Sequence, residues 1–236
     1  MTNDTKKYYD EFANWYENER HHGYHAMLDD LELEVLRPYA GGREVLEVGA
    51  GTGLIMKGLM PHAKKIIGVD ISAGMLGKAA ERGLEVVQGS ATELPFQAEQ
   101  FDLVYSLKVL AHIPNIEQAL AEMTRVLRPN GVLVAEFYNR FSVRKLAKTL
   151  GGPGKISASR REDEVFTRWD TPDAIREYLP SDLVFGEWRG IRVFTPAALA
   201  FKVPGAARVL PFVERMALKG PLARFGGFLV AVCHKR

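Results

Sequence analysis

The spacing of apolar positions changes character twice along this chain. Over residues 3–20 the aromatics Tyr8, Tyr9, Phe12, Trp15 and Tyr16 fall so that positions 8, 12, 15 and 16 share one helical face. A second stripe, Met27, Leu28, Leu31, Val35 and Leu36, predicts a helix over about 24–36, which Pro38 and Gly41-Gly42 are expected to end. From residue 43 short β-branched runs alternate with helical segments. Strands are expected at 44–48, 65–69, 84–88, 101–106 and 132–137, and helices at 54–60, 72–82 and 116–127. Such alternation implies an α/β fold, a mostly parallel sheet with helices on both faces. Ser72 and Asn115 stand where helix caps are needed, and Pro129-Asn130-Gly131 has the chemistry of a turn that re-enters a strand.

Beyond Phe137 the rhythm loosens. Gly151-Gly152-Pro153-Gly154 and the charged run 159–164 read as an inserted segment over one edge of the sheet. Thr171-Pro172-Asp173 opens a short helix with threonine as cap and proline at its first position. Two further strands are expected near 183–194 and 225–233, joined by an apolar connection containing Pro196, Pro204 and Pro211. The chain thus divides into a helical cap (1–42), a core (43–137), an inserted lid (138–182) and C-terminal strands and helices (183–236), all within one domain.

Composition adds constraints more than identity. With 236 residues, 47% hydrophobic and 25% charged, the chain can bury a sizeable core and need not be disordered. A net charge of +2 gives no field that argues for nucleic acid. The single cysteine, Cys233, allows no disulfide within one chain, and its apolar neighbours suggest a small buried thiol in a reducing, cytoplasmic setting. Residues 1–7 lead into an acidic, aromatic stretch rather than an apolar signal region, and no run of 18 apolar residues suggests a membrane span.

The most informative stretch is Val45-Leu46-Glu47-Val48-Gly49-Ala50-Gly51-Thr52-Gly53, an apolar strand that runs through three alternate glycines into a helix. Glycine permits backbone geometries closed to other residues and lets a ligand lie against the main chain. The dinucleotide pattern G-x-G-x-x-G would need glycine at position 54, which is Leu54, so an NAD-dependent oxidoreductase is disfavoured. The acid Glu47 precedes the loop, and an acidic lip suits a nucleoside carrying an ammonium group better than a pyrophosphate. Asp70 follows 23 residues later at the end of the next strand, where its two oxygens can accept both ribose hydroxyls.

Together, Glu47–Gly53, Asp70, the turn Gly89–Phe96, the strand 101–106 and Leu127-Arg-Pro-Asn-Gly131 resemble the successive motifs of class I S-adenosylmethionine-dependent methyltransferases. The likeness covers roughly residues 8–137, and leans towards the branch containing ubiquinone and menaquinone biosynthesis and natural-product enzymes. It implies a Rossmann-like three-layer sandwich with a seven-stranded sheet whose last strand is antiparallel. It also implies S-adenosylmethionine as methyl donor, S-adenosylhomocysteine as product, and no metal. Gly49, Ala50 and Gly51, with Gly53 completing the loop, would lie under the methionine moiety beside Glu47. Asp70 would hold the ribose, and Ile71 and Met75 would pack on the adenine. Ser90 and Ala91 would meet the adenine edge, Leu107 would follow the methionine end, and Tyr16 would close the site. Many relatives carry aspartate where this chain has Ser90.

Candidate chemistry outside those motifs is sparser. His112, just past the fourth strand, could take a proton from an acceptor hydroxyl because imidazole titrates near working pH. Tyr8, Tyr9, Phe12, Trp15, His21, His25 and Tyr138 are candidates for the acceptor pocket, which the N-terminal helices should cap. No cysteine or carboxylate completes a metal set with His21, His22 and His25. Residues 139–170 hold eight Lys/Arg against four acids, which reads first as a solvated lid and second as an attractor of acidic substrates. Residues 189–224 are apolar with seven Lys/Arg and a single acid, Glu214, so they either pack over a pocket or lie weakly on a membrane surface. No aromatic-basic stripe and no Asn/Asp-Pro-Pro-aromatic motif after the fourth strand speaks for nucleic acid. The expected partner is a small-molecule acceptor methylated on O, N or C, with the chain a monomer or homodimer. The competing readings are a cofactor-binding regulatory module without turnover and an enzyme for a quinone-like lipid at a membrane.

Overall fold

The computed structural model describes residues 23–151 and 166–236. The expected helical face from Tyr8 to Tyr16, together with His21 and His22, lies outside them. The first described helix, α1 (Gly23–Ala40), buries Tyr24, Met27, Leu28, Leu31, Val35 and Leu36, the stripe that the spacing predicts. It passes through Pro38 and ends at Ala40, so the Gly41-Gly42 pair stops it as expected and the proline does not. Leu36 and Ala40 are wholly buried and anchor the last turn, while the lost bond falls on the side of the exposed Glu34, whose carbonyl water can reach.

The core then builds as β1 (Glu44–Val48), α2 (Leu54–Leu59), β2 (Lys65–Asp70), α3 (Ala73–Glu81), β3 (Val86–Gln88), β4 (Phe101–Ser106), α4 (Ile116–Val126) and β5 (Leu127–Tyr138). It continues through α5 (Val143–Gly151), α6 (Pro172–Tyr178), β6 (Leu183–Ile191), α7 (Ala206–Ala217) and β7 (Phe228–Lys235). The strands form one seven-stranded sheet in the order β3-β2-β1-β4-β5-β7-β6. All neighbours from β3 to β5 are parallel, and β7 runs antiparallel between β5 and β6. The layered α/β fold with an antiparallel last strand is therefore as the sequence motifs imply.

Alternation along the central strands feeds two cores. Val132 and Val134 of β5 and Val230 and Val232 of β7 face the layer containing α1 and α2. Leu133, Ala135 and Phe137, with Leu229, Ala231 and Cys233, face α4 and Ile175 of α6. Strands buried on both sides in this way need nearly continuous apolar sequence, which residues 228–233 of β7 have and residues 132–137 of β5 have but for Glu136. Burial pushes the Cys233 thiol up to about 12, so it stays a neutral packing group.

Local signals behave variously. Ser72 caps α3, its Oγ accepting from Met75 N at 3.1 Å, and Thr171 caps α6 by accepting from Ala174 N at 3.2 Å. Asn115 occupies the cap of α4 without a side-chain bond. Pro129-Asn130-Gly131 does not precede the strand but bulges within it. Leu127 pairs with Phe101 and Val132 with Leu103, and Asn130 takes up the turn at φ 62°.

Candidate active site at the carboxyl ends of the parallel strands

The glycine loop follows β1 at its carboxyl end, where open α/β sheets bind ligands. Gly49 N and Ala50 N both donate to Val69 O, at 2.7 and 3.0 Å, which ties the loop to β2. The three glycines have positive φ but different surroundings. A Cβ on Gly49 would meet Val109 Cγ2 at 2.2 Å, so this glycine lets the loop after β4 close against the loop after β1. A Cβ on Gly53 would meet Leu84 at 2.3 Å and Ala79 at 3.2 Å, so Gly53 serves internal packing. A Cβ on Gly51, at φ 54°, would meet nothing within 4 Å; the loop is open there.

Asp70 reads the loop directly. Its Oδ2 accepts from Gly51 N at 2.8 Å and its Oδ1 from Ser72 N at 2.9 Å. The carboxylate thereby fixes the loop against the start of α3. Ile71 and the buried Met75 follow on α3's approach, with Ile71 O accepting from Gln88 Nε2 at 3.0 Å. Ser90 turns its hydroxyl inward, 2.8 Å from Thr92 Oγ1 and accepting from Thr92 N at 3.2 Å. It therefore shapes the turn beside the buried Ala91.

Beneath the loop lies a cluster of buried acids. Glu47 on β1 is 4% exposed, and its Oε2 has no hydrogen-bond partner among the described residues. Burial pushes its carboxyl up to about 8; the Tyr105 hydroxyl opposes this while the Glu32 and Asp70 charges add to it. Glu136 on β5 is likewise raised, by burial first and then by Glu32. Lys108 supplies the compensating charge. Its Nζ lies 2.6 Å from Glu32 Oε1 and 3.4 Å from Asp29 Oδ1, and its backbone N donates to Glu136 Oε1 at 3.0 Å. Lys108 itself sits at φ 61°, a left-handed conformation that this network holds, directly after the buried Leu107. Glu32, Lys108 and Glu136 were not singled out by the sequence. A glutamate inside the apolar run 132–137 was the one visible signal.

His112 stands beyond the loop after β4. Its Nδ1 is 2.9 Å from Phe166 O, which can only accept, so Nδ1 carries the hydrogen and Nε2 keeps its lone pair. Nε2 faces the Tyr138 hydroxyl at 3.4 Å. Burial holds the imidazole below its usual pKa, and the Arg144 and Lys148 charges add to that against the Phe166 bond. His25 lies on α1 with its ring edge-on to Tyr24, the centroids 5.0 Å apart. Tyr138 carries Arg144 over its ring at 4.2 Å.

The glycine loop, Asp70, Glu47, Leu107, His112 and Tyr138 thus gather at the same ends of β1, β2, β4 and β5. The set fits a cationic nucleoside such as S-adenosylmethionine: an open backbone cradle at Gly51, a two-oxygen acceptor at Asp70 and a buried, incompletely bonded carboxyl at Glu47. Among the described residues no group of three or more His, Cys, Asp or Glu is arranged to hold a metal ion, and no helix is long and apolar enough to cross a membrane. A separate cavity of about 340 Å³ between α1 and α7, lined by Met27, Leu31, Phe201 and Pro211, includes none of the glycine-loop residues.

Comparison with known proteins agrees with this geometry. Residues 46–135 match the family model described as a methyltransferase domain. A demethylmenaquinone methyltransferase of Thermobifida fusca is 34% identical over 122 residues, covering 49% of this chain and 52% of that protein. A phosphatidylethanolamine N-methyltransferase of Cereibacter sphaeroides is 41% identical over 103 residues, covering 40% of this chain and 50% of that protein. The chain thus spans about half the length of the curated relatives it matches. Over nearly its whole length it superimposes on a SAM-dependent methyltransferase of Thermotoga maritima, with TM-score 0.68, 20% identity and 97% and 98% of the two chains covered. Residues 46–135 thus match a methyltransferase-domain model, and nearly the whole chain shares the fold of a SAM-dependent methyltransferase.

Proposed function

We propose that this protein is an S-adenosylmethionine-dependent methyltransferase acting on a small-molecule acceptor. The observation that carries the reading is the Asp70 carboxylate at the end of β2, which fixes the open Gly51 loop. Glu47, Gly49, Ala50, Gly51, Asp70, Met75, Ala91 and Leu107 would hold S-adenosylmethionine, which would supply a sulfonium methyl group for in-line displacement by the acceptor. The chain's own work is positioning and proton handling. A glycine loop fixed by Asp70 orients the reactants, an effect worth roughly 7–11 kcal/mol for well-oriented pairs. His112, neutral at working pH with its Nε2 lone pair near Tyr138, is the candidate acceptor of the proton released on methylation. Tyr16, together with Tyr8, Tyr9, Phe12 and Trp15, is assigned to the closing face on sequence alone.

Calorimetric titration with S-adenosylmethionine, S-adenosylhomocysteine and NAD tests the reading. Micromolar binding of both adenosyl ligands, weakened at least tenfold by Asp70→Ala, is expected. Preferential binding of NAD, or no adenosyl binding, refutes it.

A second reading, a lipid-like acceptor met at a membrane surface, has one specific observation in its favour. Val209, Phe212 and Met216 are 57%, 63% and 70% exposed along one side of α7, beside Arg208 and Arg215. Such an apolar ridge with flanking cations suits an interface with anionic lipid. Relatives named for demethylmenaquinone and phosphatidylethanolamine lean the same way.

A further inference from the structure

Two arginines meet at the start of β7. A Cβ on Gly227 would lie 3.1 Å from Arg144 Cβ and Cδ and 3.3 Å from Arg192 Cδ, so both side-chain stems cross this glycine. The Arg144 guanidinium carbon sits 4.2, 4.8 and 4.6 Å from the ring centroids of Tyr138, Trp169 and Phe228. Arg192 stands over Tyr24 at 5.2 Å and over the far side of this group at Phe228, 5.9 Å away. Arg144 is 6% exposed, yet its Nε and Nη1 have no hydrogen-bond partner among the described residues.

An arginine kept only for structure looks different in this same protein. Arg168 places Nε on Asp170 at 3.0 Å, Nη1 on Ile113 O at 3.0 Å and Nη2 on Leu110 O at 3.1 Å. Arg192 uses Nε on Thr195 O at 2.9 Å and Nη2 on Pro196 O. Arg144 instead combines ring stacking with free donors, and burying charged donors without acceptors is costly. Glu136, a buried acid that feels the Arg144 charge, is pushed by burial towards its protonated form. Lys145, 4.8 Å from the Trp169 centroid, adds positive charge from the same helix.

Resting on the methyltransferase reading above, we propose that Arg144 seats an anionic group of the methyl acceptor, a carboxylate or phosphate. A guanidinium presents its N–H groups in a planar fork that matches either oxyanion, and the rings of Tyr138, Trp169 and Phe228 packed on it hold that fork in place. Tyr138 links this seat to His112, whose Nε2 is 3.4 Å from the Tyr138 hydroxyl. The anion at Arg144 and the reacting atom near His112 then lie about one aromatic ring apart.

The test compares benzoate, phenyl phosphate and the neutral benzyl alcohol by ligand-observed NMR titration. The proteins are wild type, Arg144→Met and Arg144→Lys, each checked for folding by thermal melting, and S-adenosylhomocysteine affinity is measured in parallel. Wild type should bind at least one anion tenfold or more above benzyl alcohol. Arg144→Met should abolish that preference, and Arg144→Lys should keep part of it. The better anion of the two identifies the acceptor group as carboxylate or phosphate. Absence of an anion preference, or its persistence in folded Arg144→Met, overturns the seat even if S-adenosylhomocysteine binds normally. Arg144-dependent anion binding without S-adenosylhomocysteine binding would leave the seat standing and remove the methyltransferase reading instead.

Discussion

Replacing Glu47 by glutamine should change how the stability of the unliganded protein depends on pH. In the native state burial raises the Glu47 carboxyl from its ordinary 4.5 to about 8. The native protein therefore binds one proton more than the unfolded chain between those two values. By linkage, the contribution is fully present below the unfolded value and is lost as pH climbs towards the folded one. Each bound proton is worth about 1.4 kcal/mol per pH unit, so from about pH 5.5 to about pH 7.5 Glu47 alone should remove roughly 2–3 kcal/mol. Glutamine has nearly the shape of the protonated carboxyl and cannot ionise. The stability of Glu47→Gln relative to wild type should therefore grow by roughly 2–3 kcal/mol from the acidic to the alkaline end. Urea unfolding at four pH values, read as ΔG at constant m-value, provides the measurement. Glu136 is raised too, so wild type keeps a second sloping contribution in both proteins, and only the difference isolates Glu47. Parallel stability curves for the two proteins would mean that Glu47 is ionised in the native state, and the argument for a buried neutral acid under the glycine loop would be wrong.

Three further outcomes follow from the same geometry. Gly53→Ala should destabilise by roughly 2–4 kcal/mol in thermal melts because its Cβ runs into Leu84 at positive φ, whereas Gly51→Ala, with open space, should cost only about 1 kcal/mol yet weaken S-adenosylhomocysteine binding tenfold or more. If His112 is the proton acceptor, the acid limb of kcat/KM on an identified acceptor should fall below the usual histidine value, since burial lowers its pKa, and His112→Ala should erase that limb. Phe212→Ser should halve or abolish flotation with phosphatidylglycerol vesicles if α7 meets a membrane, while flotation equal to wild type would discard that reading.

What could be read from the chain alone was local. Strand and helix periods, the caps at Ser72 and Thr171, the glycine loop and Asp70 each depend on residues within a turn or one βα unit, and all stand where expected. Asn115 makes no cap bond, and two further local departures have local causes. Pro38 lies where its lost bond faces solvent, and Asn130 absorbs its turn as a bulge inside a strand that tertiary pairing continues. The rest required the fold. Glu32, Lys108 and Glu136 come from three elements, and only the order β1-β4-β5 under α1 brings them beneath Glu47. Arg144 was one of eight cations in a basic stretch, with nothing in the sequence to separate it from Lys145 or Lys148. It becomes distinct because β7 inserts between β5 and β6, placing Gly227 and Phe228 under it and Arg192 across from it. Sequence patterns record which face of an element is buried. Which charges are buried together is set by chain segments far apart, through desolvation that no single segment contains.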